Sequence, residues 1–383
     1  MAHTNTVFSQ LLKLVPRHEF QRLSKQHHEG QSLRKISRWD QFVSLIMAQL
    51  SGRQSLRDIE ANINAQSDSH YHLGVRRIAK SSLARINEKQ PYTLYEALFE
   101  QLVGQCQSHS PRHKFRFKNP LFSLDASLID LSLAIFPWAD HNRSKAAMKL
   151  HVGLDHGGHF PAFATITDGI RHDVPVGRQF DFPKGSVVVI DKGYTDYGWY
   201  KQLTEKGIFF VTRQRPNAKY RVVERQKISC RQGITSDQVI ELTGARFKDK
   251  GMPRLRRIGY RDAQTGKRYV FLTNHFGLFA KTIADVYKDR WQVELFFKAI
   301  KQNLKIHAFV GNSRNAVLTQ IWIALCAYLL LSFLRFLSKT GWSEQRILRL
   351  LQANLFSKKD LITLIRPSPP AEQGSPPQLA LWA

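Results

Sequence analysis

"GSVVVIDKGYTDYGWYKQLTEKGIFFVTRQ", residues 185–214, changes rhythm twice. From Gly185 to Asp191 it is a continuous apolar run that ends in a carboxylate, the pattern of a central strand buried on both faces. From about Tyr197 to Lys206 the spacing is helical, and "GIFFVTRQ" is apolar again, a second buried strand.

Upstream, "LFSLDASLIDLSL", "AMKLHVGLD" and "FPAFATITD" are short, rich in β-branched and aromatic residues, and broken by "HGGH". They read as consecutive antiparallel strands. Three such strands followed by strand, helix, strand is the order of a ribonuclease-H-like sheet, so the expected fold class is α/β. Residues from about 215 to 275 interrupt that order with "YRVVERQKISC", "RRIGYRDAQTGKRYVFLTN" and a cationic loop between them. Alternating strands and the "AQTGK" turn make this a small basic β insertion.

A helix is expected from near Phe279 through Asn303. The next segment, "VLTQIWIALCAYLLLSFLRFL", is long enough to imitate a membrane span, but Gln320, Ser332 and Arg335 interrupt it and favour a buried core helix. Residues 1 to about 110 read as mostly helical. There "SGRQSLRDIEANI" forms a helix-turn-helix-like break with Arg53 and Arg57 outward, and "AKSSLARINEK" is a basic helix started by serine. "RPSPPAEQGSPPQLALWA" is a Pro-rich tail expected to be disordered.

The chain has 383 residues, 43% of them hydrophobic, which is enough for two or three domains with real cores. Fifty-seven Lys and Arg face thirty Asp and Glu, a net charge of +27 that implies a polyanionic partner, nucleic acid first. Cys106, Cys230 and Cys326 are odd in number and far apart, with neither disulfide nor zinc spacing. The N-terminal stretch does not read as a signal peptide, so a cytoplasmic protein with no membrane partner is expected.

Three carboxylates fall where such a sheet could gather them: Asp125 in the first strand, Asp191 at the end of the central strand, and Glu294 on the helix after the insertion. Hard oxygen donors of this kind suit Mg²⁺ or Mn²⁺, and two ions about 4 Å apart serve phosphoryl transfer. On a continuous helix Tyr287, Arg290, Glu294 and Lys301 span an arc of only ~60°, beside an apolar stripe of Val286, Val293, Phe297, Ile300 and Leu304. Such a face suits a metal ligand flanked by phosphate binders. The plainer alternative is that Arg290 and Glu294 are a surface i,i+4 pair. Asp130, Asp155 and Asp168, at or near strand ends, are competing carboxylates that could cap turns, and Asp130, five residues from Asp125, points to the opposite face.

Together "LDAS", "VVVIDKGYTD" and "YKDRWQVELFFKAIK" resemble the DDE transposases of bacterial insertion sequences, in the subgroup marked by Tyr-x2-Arg-x3-Glu-x6-Lys. The resemblance implies a helical N-terminal DNA-binding region (1–112), a ribonuclease-H-like catalytic domain (113–340, with a β insertion at about 215–275), a C-terminal helical segment (341–365) and the tail (366–383). It implies that Asp125, Asp191 and Glu294 are catalytic metal ligands holding Mg²⁺ or Mn²⁺ as two ions, while Tyr287, Arg290, Lys301 and Lys192 hold DNA phosphates. Terminal inverted repeats and target DNA would be the partners, in a homodimeric synaptic complex. Lys192 stands where relatives often carry arginine. Some relatives hold a flipped base against a tryptophan of the insertion; none occurs here between Trp199 and Trp291, which leaves Tyr260 or Tyr269 as substitutes. Another ribonuclease-H-like nuclease, such as a resolvase, or a non-catalytic DNA-binding protein remain the alternatives.

Overall fold

The computed structural model describes residues 5–142, 145–228, 232–243, 251–304 and 309–366. Strands β1 (Leu121–Leu131), β2 (Asp140–Asn142), β3 (Lys145–Asp155), β4 (Phe160–Asp168), β5 (Val187–Ile190), β6 (Phe209–Arg213), β7 (Tyr220–Arg225), β8 (Ile234–Leu242), β9 (Leu255–Arg261) and β10 (Arg268–Thr273) form one sheet. Its order is β2-β3-β1-β5-β6-β10-β9-β8-β7, with β4 paired to β3. β1, β3 and β4 are antiparallel neighbours, whereas β5 runs parallel to both β1 and β6. This is the ribonuclease-H-like arrangement anticipated from the strand order. The insertion strands do not form a separate sheet: β10 pairs with β6 and carries the central sheet onward.

The two-residue period of the strands sorts side chains into two cores. Val188 and Ile190 of β5 join Phe122, Leu124 and Phe210 on one face, while Val187 and Val189 join Leu121 and Val211 on the other. Each fully buried aliphatic side chain contributes roughly 1.5–3 kcal/mol. By the same period Asp125 and Asp191 belong to the second face, where α10 (Ala280–Asp289) packs through Ile283, Ala284 and Val286.

A helical body joins both ends of the described chain. It contains α1 (Val7–Leu12), α2 (Arg17–Gln26), α3 (Arg38–Ser51), α4 (Leu56–Ala65), α5 (His70–Leu73), α6 (Lys80–Lys89), α7 (Thr93–His109), α12 (Arg314–Ser338), α13 (Glu344–Asn354) and α14 (Leu361–Ile365). α12 lies among α7, α3, α6 and α13, with 94% of its most apolar window buried. The amides of Val7 and Phe8 donate to the carbonyls of Ser357 and Leu355, so the first helix docks beside the last ones. α8 (Asp173–Gly177) and α9 (Tyr197–Glu205) complete the connections around β5.

Three local expectations need correction. The helix expected from Phe279 through Asn303 is broken at Arg290 into α10 and α11 (Trp291–Asn303), where Arg290 N bonds to Tyr287 O and Val293 N to Arg290 O at three-residue spacing. The basic helix near residue 80 is not started by serine: its cap is Ala79, without a side-chain bond, and both serines lie inside α6. The stretch between the insertion's two recognised strand segments is not only a loop but holds β8, whose buried Asp237 is paired with Arg256 of β9 at 2.7 Å. Ser51 and Gly52 do make the expected break, with Gly52 left-handed at the end of α3; Ser55 then caps α4, and Arg53 and Arg57 are exposed. Cys106 and Cys326 are buried and free. Cys230, most of the cationic loop (244–250) and the Pro-rich tail from 367 onward lie outside the described residues.

Candidate active site

Register brings the two aspartates together. Leu124 of β1 lies opposite Ile190 of β5, so Asp125 and Asp191 are the next residues on adjacent parallel strands, which run about 4.8 Å apart. The break between α10 and α11 then presents Arg290 to them. Its guanidinium donates to Asp125 Oδ2 at 2.8 Å and to Glu294 Oε1 at 2.6 Å. Tyr287 donates its hydroxyl to Asp191 Oδ1 at 3.2 Å. Five of the residues singled out in the sequence therefore meet. The i,i+4 pair of Arg290 and Glu294 is present, but it is not a surface pair: the side chains are 12% and 33% exposed, and Arg290 shares itself with Asp125.

Burial pushes the Asp125 carboxyl up to about 6; Arg290 opposes the rise, while Asp191 and Glu294 add to it. Burial and the nearby Asp191 charge also raise the Tyr287 phenol. Two buried polar atoms here, Arg290 Nε and the Tyr194 hydroxyl, have no hydrogen-bond partner among the described residues. The three carboxylates are hard oxygen donors of the kind that suit a divalent cation such as Mg²⁺ or Mn²⁺. Arg290 stands between Asp125 and Glu294, and among the described residues the donors gathered within 4.8 Å of one another are those of His156, His159 and Asp289, not this trio.

Lys301 and Lys192 stand outside this cluster. Lys301 lies two helical turns beyond Glu294, ~10 Å along the axis. Burial lowers its amine while Asp130 raises it. Lys192 is exposed at the head of the short turn after Asp191. Among the competing carboxylates, Asp155 accepts from Gly157 N in the β3–β4 turn, Asp168 pairs with Arg314 at 3.0 Å, and Asp130 is exposed.

Beside the cluster lies a cavity of about 340 Å³ lined by Arg213, Tyr260, Tyr269, Tyr287, Arg290 and Trp291, among others. Trp291 is 58% exposed. The segment 112–118 leading into β1 alternates strictly: Arg112, Lys114, Arg116 and Lys118 are exposed, while His113, Phe115 and Phe117 are half-buried against one another.

Sequence reasoning missed Tyr194, Ser123, His156 and Asp289. Tyr194 sits in the quoted "DKGY", where its need for a hydrogen-bond partner when buried was the available signal. His156 was taken only as part of a turn. Its ring is buried and bonded to Ser123 Oγ at 2.6 Å and Asp289 Oδ2 at 2.8 Å.

The sequence pattern of the family described as "Transposase DDE domain" matches residues 116–330, and that of a domain of unknown function (DUF4372) matches residues 3–76. A protein of Sinorhizobium fredii named as a transposase is 34% identical over 291 residues, 75% of this chain and 80% of that protein. One of Geobacillus stearothermophilus, named as a transposase for insertion sequence element IS5377, is 31% identical over 68% of each chain. One of Synechocystis, named for insertion sequence element IS4SA, is 26% identical over 64% of this chain and 69% of that protein.

Proposed function

The chain belongs to the transposase DDE domain family, and on that premise we propose that it binds the terminal inverted repeats of its own insertion sequence and catalyses divalent-metal-dependent strand cleavage and strand transfer. The observation that carries this reading is the meeting of Asp125, Asp191 and Glu294 around Arg290. We place the chain in the Tyr-x2-Arg-x3-Glu-x6-Lys subgroup on the spacing of Tyr287, Arg290, Glu294 and Lys301.

In this reading the three carboxylates hold Mg²⁺ or Mn²⁺, as two ions. The bound metal supplies activation of a water or 3′-hydroxyl and stabilisation of the leaving oxygen. Arg290 orients Asp125 and Glu294 and neutralises part of their charge, and Tyr287 orients Asp191. Lys301 and Lys192, outside the carboxylate cluster, suit phosphates farther along the strand. Tyr260, Tyr269 and Trp291 offer stacking faces for an unpaired base, with Trp291 supplying from α11 the tryptophan that the insertion lacks. Residues 1–112 serve as the DNA-binding region, 113–340 as the catalytic domain and 341–365 as supporting helices, and two copies act together in a synaptic complex in the cytoplasm.

The test is to incubate the protein with a labelled fragment carrying the flanking element's ends and a target duplex, with Mg²⁺ or Mn²⁺. Joined products are expected. Metal-dependent cutting without joining would instead favour a resolvase-like nuclease, and binding without cutting a non-catalytic DNA-binding protein.

A further inference from the structure

A polar chain, buried except at its outer end, the exposed Lys114, runs behind the carboxylate cluster. Lys114 donates to Asp289 Oδ1 at 2.5 Å, His156 Nδ1 meets Asp289 Oδ2 at 2.8 Å, and His156 Nε2 meets Ser123 Oγ at 2.6 Å. Ser123 and His156 are buried, and the Asp289 side chain is 6% exposed. Four segments meet here: the 112–118 segment, β1, the β3–β4 turn and the last residue of α10.

The two inner ends of this chain adjoin the site. Ser123 is two residues before Asp125, on the same face of β1. Asp289 immediately precedes Arg290, the residue that bonds both Asp125 and Glu294. No glycine or proline marks the helix break; it falls where Asp289 is tied to His156 and Lys114 and Arg290 to Asp125.

We propose that Ser123, His156 and Asp289 form a positioning tether that fixes the α10–α11 break against β1, and thereby sets the spacing of Asp125 and Glu294. This rests on the reading of those carboxylates as metal ligands. A fully satisfied buried polar network specifies one geometry more sharply than apolar packing does. Burial works against the Asp289 charge, yet the hydrogen bonds from His156 and Lys114 hold its carboxyl down to about 2, so Asp289 itself stays ionised. His159 also comes within 4.8 Å of His156 and Asp289, the spacing of a metal site. Both ring nitrogens of His156 are already engaged, however, so an ion there would have to displace the tether.

The test compares wild type with Ser123→Ala, His156→Gln and Asp289→Asn, and with His156→Asn, which keeps an amide near the Nδ1 position. Four readouts are taken: thermal unfolding, binding of the end fragment in Ca²⁺, Mn²⁺ binding by electron paramagnetic resonance, and single-turnover nicking across a Mn²⁺ series. The tether predicts end binding within about threefold of wild type, but nicking at least tenfold slower and Mn²⁺ binding weaker in the first three variants, with partial recovery in His156→Asn. Unchanged nicking and Mn²⁺ binding in folded variants would overturn it, as would a parallel fall in unfolding temperature, end binding and nicking. If wild type never nicks, the catalytic reading fails separately, and the Mn²⁺ measurement still decides whether the tether shapes the carboxylate site.

Discussion

Asp125 carries the site's clearest pH signature. Its folded pKa of about 6 exceeds the ordinary 3.8, chiefly through burial, so the native state holds a proton that the unfolded chain has released between those values. The associated stability is fully present below pH 3.8 and is lost as pH rises through about 6. In EDTA at pH 7.5, Asp125→Asn should therefore be more stable than wild type by on the order of 2 kcal/mol, and the gain should vanish near pH 4. Urea unfolding at the two pH values checks this. A variant less stable at pH 7.5 would mean that the Arg290 bond outweighs burial.

At the scale of elements, the sequence was most legible where the rhythm was regular. β4 lies where "FPAFATITD" was quoted, β5 within "GSVVVID", and α9 starts at Tyr197. β8 was obscured because Asp237 reads as a polar interruption until Arg256, a partner 19 residues away, is known. Removing one member of such a buried pair leaves the other uncompensated, so Arg256→Ala should cost about 3–5 kcal/mol in urea unfolding. A change below about 1 kcal/mol would show that the pair is not needed to hold β8 on β9. The helix break at Arg290 was illegible for a related reason: its ties to Asp125 and to the neighbours of Asp289 are long-range. The aspartates and Glu294 could be named from pattern, whereas the bridging role of Arg290 required the register of β1 on β5.

The alternating segment 112–118 supports another prediction at this scale. Its exposed cations recur every second residue, ~6.6 Å apart if extended. With Arg112, Arg116 and Lys118 changed together to Gln, the slope of log K against log salt for duplex binding should become shallower by about 0.9 per lost phosphate contact, up to about 2.7. An unchanged slope would remove the segment from the DNA-binding surface.

For the whole molecule, the +27 charge pointed to a polyanion, and membership of the transposase DDE domain family agrees with it. The joining of N-terminal and C-terminal helices around α12 was not visible in the sequence, since periodicity reports which face is apolar but not which helix will cover it. The central claim is that Asp125, Asp191 and Glu294 together carry metal-dependent strand cleavage. The most direct measurement is nicking of an end fragment in Mg²⁺ or Mn²⁺ by wild type and by Asp125→Ala, Asp191→Ala and Glu294→Ala. The account predicts nicking by wild type alone, with end binding retained in all three variants; nicking that survives loss of any one carboxylate at near wild-type rate would contradict it.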